Sequence, residues 1–148
     1  MSAEDKLGIQ EMIARYSYAY DSKDADAFAQ LFVEDGVFEV IVPAESSPRV
    51  RLSSQTAIRE WASQRHQLHT GSQSRHYQSG VLFDELTSDT AAARTMLLLT
   101  RQSAEDGAPL LHLTGVYHDK WRKTQEGWRL VHRAARVDRD PGIARHWA

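Results

Sequence analysis

The sequence predicts an α+β domain in which a strongly curved antiparallel or mixed sheet wraps around three N-terminal helices. Two observations predict this class. Helical periodicity is confined to the first half of the chain, whereas the second half consists of β-rich runs separated by short turn sequences. Because consecutive strands joined by short turns pair with each other, we expect an antiparallel meander in the second half.

The first helix is predicted over residues 4–20. Ile9, Ile13, Tyr16 and Tyr20 follow one another at spacings of four, three and four, which is the apolar stripe of an amphipathic helix. One face of this helix should therefore pack on the core.

A short second helix and a strand follow. Asp24 is a suitable N-cap for a helix that buries Phe28, Leu31 and Phe32. After a Glu-Asp-Gly turn, residues 37–42 are rich in β-branched and aromatic side chains and form a predicted strand. Residues 43–48 should form a loop.

The third helix has two possible caps, Ser54 and Thr56. One face of it carries Ile58, Trp61, Ala62 and Arg65. Four strands are then predicted at about 75–85, 91–103, 109–123 and 127–138, with turn residues in each gap. The whole chain, 1–148, is expected to be one domain that ends in a surface tail, 139–148.

Composition excludes several classes of function. The formal net charge is -2, with acidic and basic residues interspersed, so nothing in the sequence indicates a nucleic-acid partner. The chain has no cysteine, which rules out disulfides, thiolate metal sites and a cysteine nucleophile. Neither a signal peptide nor an apolar run of membrane-spanning length is apparent. We therefore expect a cytoplasmic protein without a membrane partner.

Four sequence features resemble the SnoaL-like branch of the NTF2-like superfamily in order and spacing. They are the helical segment IARYSYAYD at 13–21, the corner LFVEDGVF at 31–38, the strand start RHY at 75–77, and the closing GVYHDKW at 115–121 followed by GWR at 127–129. The resemblance implies an NTF2-like cone whose open end leads to a ligand pocket. Members of that superfamily include enzymes, non-catalytic subunits and transport factors, so the fold alone does not determine the function.

Asp21 and His76 are the candidate catalytic pair. Asp21 lies at the C-terminal end of the first helix, where the helix dipole disfavours a carboxylate, and Tyr16 and Tyr20 would enclose it. An imidazole beside such a carboxylate can move protons near neutral pH. The sequence is similar to the dehydratase and dehydrochlorinase relatives, which resemble scytalone dehydratase. That resemblance implies that His76 takes a proton from carbon while Asp21 orients it.

Simpler structural roles stay open for both residues. Asp21 could be a turn residue of the Asp-Ser-Lys-Asp segment that caps or hydrogen-bonds locally. His76 could be an ordinary histidine on the surface of a strand.

Arg133 is a third candidate, because its guanidinium could anchor the carboxylate or polarise a substrate oxygen. Strand alternation also allows His132 to face inward instead, since a shift of one residue exchanges the two faces.

Five further residues are candidates for binding substrate. Trp61 and Arg65 lie one helical turn apart and could close the mouth of the pocket. Met96, Leu113 and Tyr117 could line its wall, although ordinary core packing explains Leu113 and Met96 better.

We expect neither a metal nor a cofactor. His66 and His69 lack a His-Glu-x-x-His pattern, so a polar helix end explains them better. His112 and His118 are predicted on a polar outer face, opposite Leu113 and Tyr117. Phosphate loops, nucleophile elbows and nucleotide fingerprints are absent from the sequence.

The functional hypothesis is a cofactor-independent lyase or isomerase that acts on a small apolar, cyclic or aromatic substrate, with Tyr16 and Tyr20 orienting a substrate oxygen or leaving group. Two alternatives are a ligand-binding protein without catalysis and a partner subunit like the β subunit of ring-hydroxylating dioxygenases. The apolar run 96–99 indicates a strand covered on both faces, which predicts a homodimer or homotrimer.

Overall fold

The computed structural model describes residues 2–139. Its elements, in chain order, are α1 (Ala3–Asp21), α2 (Ala25–Ala29), β1 (Phe32–Ile41), β2 (Val50–Leu52), α3 (Gln55–Leu68), β3 (Ser72–Leu86), β4 (Thr90–Ser103), β5 (Leu110–Thr124) and β6 (Gly127–Val137). The three helices and the four final strands match the predictions. Residues 140–148 of the predicted tail lie outside the described residues.

Two details of the first half differ from the predictions. The strand expected at 37–42 begins earlier, at Phe32, so that Phe32 is buried as part of β1 and not of α2. The short strand β2 was not predicted, because three residues are too few to show a periodic pattern. It pairs antiparallel with Phe38–Val40 on the edge of the sheet.

Each helix begins at a side-chain cap. Ser2, Asp24 and Ser54 accept hydrogen bonds from backbone N–H groups in the first turns of α1, α2 and α3, respectively. These bonds satisfy donors that have no partner within the helix. Ser54, and not Thr56, is therefore the cap of the third helix.

The sheet is mixed and has the order β2-β1-β6-β5-β4-β3. Strands β3 to β6 form the predicted antiparallel meander, whereas β1 pairs parallel to β6. Several register shifts, including one between Ser79 and Leu82 on β3, bend the strands. The glycine between them, Gly80, has a φ of 67°, a left-handed conformation that favours glycine.

Helix α1 is fixed to the sheet at both ends. Near its start, the carboxylate of Asp5 accepts hydrogen bonds from Lys123 Nζ at 2.7 Å and from Trp128 Nε1 at 3.1 Å. At its end, Asp21 is bonded to β3, as described below. Between these anchors Ile9 and Ile13 are buried in the core, so the helix has little freedom to shift along the sheet.

The outer face of the sheet carries exposed apolar side chains. Met96 and Leu98 on β4 are 56% and 38% exposed, and Tyr77 on β3, the register partner of Leu98, is 56% exposed. Strand alternation places Leu97 and Leu99 on the buried face instead. Within one chain only one face of this strand is covered, and the homodimer or homotrimer that would cover the other stays a prediction.

No helix within residues 2–139 has both the length and the apolar character needed to cross a membrane.

Candidate functional site

Asp21 and His76 are in direct contact where the end of α1 meets the start of β3. His76 Nδ1 lies 2.6 Å from Asp21 Oδ1, and the backbone N–H of His76 donates to Asp21 Oδ2 at 2.8 Å. The hydroxyl of Ser74 donates to Oδ1 at 2.7 Å. With only 4% of its surface exposed, the Asp21 carboxylate is held by three groups from one strand.

These hydrogen bonds keep Asp21 ionised. Burial acts to raise the pKa of Asp21, but the bonds and the charge of His76, together with the Ser74 hydroxyl, outweigh it and lower the pKa below its usual value. An ionised carboxylate only accepts hydrogen bonds, so Nδ1 of His76 carries the proton in the neutral imidazole. Nε2 is then the nitrogen that can accept a proton.

The alternation of β3 explains why His76 meets the helix. Ser74, His76 and Gln78 are two residues apart and share one face of the strand. Gln78 Nε2 donates to the carbonyl of Ile13 at 3.0 Å and to the Ser17 hydroxyl at 2.8 Å. Ser74 and Gln78 were not predicted as site residues, although their spacing from His76 could have identified them.

A narrow pocket lies beside this pair, with a cavity volume of about 30 Å³. A cavity of about 10–15 Å³ holds one water molecule, so the space as it stands suits two at most. Its lining contains seven of the predicted residues and six others: Tyr16, Tyr20, Trp61, Arg65, His76, Leu113 and Tyr117, with Phe38, Leu97, Leu99, Arg101, His112 and Ala135.

Three tyrosines belong to this lining. Burial raises the pKa of Tyr16 to about 12, and it also raises those of Tyr20 and Tyr117. The hydroxyl oxygens of Tyr16 and Tyr117 lie 3.5 Å apart. At neutral pH all three are phenols, which can donate hydrogen bonds to an oxygen of a bound molecule. The Tyr20 ring also packs edge-on against His76, with centroids 5.0 Å apart.

Arg133 does not itself line the pocket but packs against the rings of Tyr16 and Tyr117, which form part of the pocket floor. Its guanidinium donates to both carboxylate oxygens of Asp119, at 2.8 and 2.7 Å, and both side chains are fully buried. The guanidinium carbon is 4.2 Å from the ring centroid of Tyr16 and 3.9 Å from that of Tyr117. These are cation–π distances, so Arg133 supports the tyrosine rings from below.

The role expected for Arg133 is therefore wrong in one respect. Its carboxylate partner is Asp119 and not Asp21, and the tyrosine rings cover it on the pocket side. The inward-facing alternative, His132, is also excluded, because its imidazole binds Glu39, which in turn pairs with Arg51. A partner carboxylate on a neighbouring strand cannot be read from the sequence.

Met96 does not line the pocket, contrary to the prediction. It lies on the exposed outer face, and its neighbour Leu97 occupies the inner face. The prediction placed the strand one residue out of phase, which exchanges the two faces.

The prediction for His112 is also wrong, but in the opposite direction. This residue was expected on the outer face, and it lines the pocket instead. Leu99 pairs with Leu113 and Thr100 with Leu111, so His112 is the extra residue of a β-bulge. A bulge interrupts the alternation of a strand and redirects its side chains. His118, beyond the bulge, pairs in register with the exposed Arg94, as expected for the outer face.

The α3 side of the pocket is basic. Trp61 and Arg65 lie one turn apart, with the guanidinium carbon 5.4 Å from the Trp61 ring centroid. His66 and His69, also on this helix end, line a smaller neighbouring cavity. Within residues 2–139, no group of three or more His, Asp or Glu side chains is arranged to hold a metal ion.

The fold and the pocket together define a class of protein: an NTF2-like α+β cone with an aromatic-lined pocket and an Asp–His pair beside it. The family model of the SnoaL-like domain matches residues 1–134, and the chain belongs to that family. Comparison with curated proteins gave no significant match.

Solved structures agree with this assignment. Rv3472(D26N), a function unknown protein from Mycobacterium tuberculosis, is 27% identical, with a TM-score of 0.80 over 98% of this chain and 85% of that one. An NTF2-like protein with a cystatin-like fold from Novosphingobium aromaticivorans is 28% identical, with a TM-score of 0.79 over 97% and 88%. A scytalone dehydratase-like protein from the same organism is 21% identical, with a TM-score of 0.74 over 89% and 83%, and shares the fold.

Proposed function

We propose that this protein is a cofactor-independent lyase or isomerase in which His76 takes a proton from a carbon atom of a small cyclic or aromatic substrate. The observation that carries the proposal is the 2.6 Å contact between His76 Nδ1 and Asp21 Oδ1 in the wall of a tyrosine-lined pocket. An imidazole fixed by a buried carboxylate on one side and facing a pocket on the other is the arrangement that general-base catalysis requires.

The tautomer of His76 determines which of its nitrogen atoms accepts the proton. With Nδ1–H bonded to Asp21, Nε2 accepts the proton of the substrate C–H bond, and the imidazole becomes an imidazolium ion. The ionised Asp21 carboxylate stabilises that positive charge without taking the proton itself. The electron pair left on carbon either forms a double bond as a neighbouring group departs, which is elimination, or is protonated again at another carbon, which is isomerisation.

The tyrosines supply the complementary donors. As phenols, Tyr16, Tyr20 and Tyr117 can donate to a carbonyl oxygen that gains negative charge or to a departing hydroxyl group. Tyr16 and Tyr117 are better supported than Tyr20, because the Arg133 guanidinium packs against both of their rings and fixes the ring planes.

The size of the pocket constrains the substrate. A cavity of about 30 Å³ cannot hold a ring compound until side chains move. Trp61 is the large lining residue on α3 and is only partly buried, so it is the one we expect to swing outward. This favours a small substrate that enters past α3.

The experiment is incubation in D₂O with a panel of cyclic alcohols, halides and ketones, followed by NMR and mass spectrometry. We expect elimination or deuterium uptake at carbon with the wild type. His76→Ala and Asp21→Asn should each slow it by about 10²- to 10⁴-fold, the usual contribution of general acid–base catalysis.

His118→Ala is the matched control, since His118 lies on the outer face, and it should retain full activity. Turnover that survives in His76→Ala would refute the role of His76. Binding of panel compounds with no exchange or elimination in the wild type would instead support a ligand-binding protein without catalysis.

A further inference from the structure

We propose that His112 binds a hydroxyl or carbonyl oxygen of the ligand, at the wall of the pocket that β5 forms. The inference rests on the proposed function, since it takes this pocket as the substrate site, and it adds a substrate class. That class is a small ring compound with an oxygen substituent on the side away from the carbon that loses its proton.

The first argument is the irregularity that brings His112 into the pocket. Regular alternation along β5 would place the residue before the inward-facing Leu113 on the outer face, but the bulge turns it inward. A bulge leaves one residue without a partner in the strand ladder and is common beside active sites, where it redirects a side chain. The pocket thereby gains an imidazole that a regular strand would not supply.

The second argument is the character of the wall that receives this imidazole. The nearby inward-facing side chains of β4 and β5 include Leu97, Leu99 and Leu113, all of them buried. Ligand pockets combine such an apolar lining with a few polar groups that fix the orientation of the ligand. Among these leucines, His112 supplies a polar group of that kind.

The surroundings of His112 favour its neutral form. Burial, together with the charge of Arg101, outweighs the charge of Asp106 and lowers the pKa of His112. A neutral imidazole has one N–H donor and one acceptor nitrogen. The proposal needs only one of them for the ligand, since the other can bond to the protein and fix the tautomer. A hydroxyl group matches either nitrogen, and a carbonyl oxygen matches the N–H.

The sheet register sets the separation between the two imidazoles. Leu99 on β4 pairs with His76 on one side and with Leu113 on the other. The backbones of His76 and His112 therefore lie two strand spacings apart, about 9–10 Å. Both side chains line the same pocket. Once Trp61 has moved aside, a ring that presents one carbon to His76 turns its far side towards His112.

A polar contact at the far side would select the carbon that faces Nε2 of His76. Proton abstraction requires the reacting atoms to be about 3–3.5 Å apart and aligned. A ring held by apolar contacts alone can rotate in its own plane, whereas a ring bonded to His112 has a defined orientation. His112 would then determine specificity without taking part in the proton transfer.

The test is isothermal titration calorimetry with acetophenone and its 3-hydroxy and 4-hydroxy derivatives, each of which adds one hydroxyl group. We expect the wild type to bind one of the derivatives about 3- to 10-fold more tightly than acetophenone, the range for one net hydrogen bond. His112→Phe keeps a ring without nitrogen atoms, so it should abolish this preference and leave acetophenone binding nearly unchanged. His112→Gln keeps a donor and an acceptor and should retain part of the preference.

His118→Phe is the matched control, because His118 lies on the outer face beyond the bulge, and it should keep the full preference. A second measurement uses the wild type and so holds even if His112→Phe does not fold. In ¹⁵N NMR, the preferred derivative should shift the ring nitrogen signals of His112 more than acetophenone does.

Equal binding of acetophenone and both derivatives by the wild type, no binding of either derivative, or a preference that survives in His112→Phe would overturn the proposal. Ring nitrogen signals of His112 that do not respond to the preferred derivative would do the same. None of these measurements involves turnover. An inactive Asp21–His76 pair would therefore leave a positive result intact, and a negative result would leave the proton transfer by His76 untouched.

Discussion

Behind the pocket lining lie two buried carboxylates, each bonded to a basic side chain, and they differ in what that side chain can do. In the floor, Asp119 binds Arg133 through two hydrogen bonds, and both side chains are fully buried. In the wall, Asp21 binds His76, which is 10% exposed and lines the pocket. An arginine in a protein keeps its proton, whereas an imidazole exchanges one near neutral pH.

The same local motif, a buried carboxylate bonded to a basic side chain, can therefore serve two purposes. The floor pair holds a permanent positive charge under the rings of Tyr16 and Tyr117, so it fixes their positions and cannot transfer a proton. The wall pair leaves one imidazole nitrogen for a ligand. Changes to the floor should therefore act chiefly on stability, and changes to the wall chiefly on chemistry.

The largest effect on stability is expected from Asp119→Ala. Removing one partner of a fully buried pair leaves Arg133 as an uncompensated buried charge, which costs about 3–5 kcal/mol of the free energy of unfolding. Urea denaturation measures it directly. The double variant Asp119→Leu with Arg133→Met removes both charges and should recover a large part of the loss. A single variant within about 1 kcal/mol of the wild type would show that the floor pair is not the structural element described here.

Asp21→Asn should have a smaller effect on stability. The amide oxygen can still accept from His76 Nδ1 and Ser74, but the NH2 group then faces the backbone N–H of His76 and that hydrogen bond is lost with the charge. We expect a cost of about 1–3 kcal/mol at neutral pH. The effect has a defined pH dependence. Because the pKa of Asp21 is lowered in the folded state, its contribution is complete above the unfolded value of about 3.9 and is lost as the pH falls through the folded value.

Denaturation of wild type and Asp21→Asn at a series of pH values checks this. The two curves should differ by a constant amount near neutrality and converge under acid conditions below about pH 4. A gap that widened on acidification would mean that the pKa of Asp21 is raised and not lowered.

The order of the elements could be predicted from the sequence because it depends on local patterns, whereas the Asp21–His76 pair was predicted from the resemblance to known relatives. The stripe of α1 and the turns between strands define the elements, and the helix end and strand start carry the pair. The other assignments depend on register, which a single strand does not specify. Met96 was placed one residue out of phase, His112 is redirected by a bulge on β5, and the partner of Arg133 comes from a neighbouring strand.

We expect the smallest effect on stability from a substitution in an exposed ion pair that resembles the two buried ones. Arg94 and Asp84 form a two-bond ion pair on the outer face, at 2.8 and 2.7 Å, with 44% and 40% of their side chains exposed. Its geometry matches that of Asp119–Arg133, so the two pairs differ mainly in burial. Water and salt screen an exposed pair, and ordering two long side chains offsets much of the attraction. Arg94→Gln should therefore leave the urea midpoint essentially unchanged. Any small difference from the wild type should shrink further at high salt. A loss comparable to that of Asp119→Ala would show that bond geometry, and not burial, sets the contribution of these pairs.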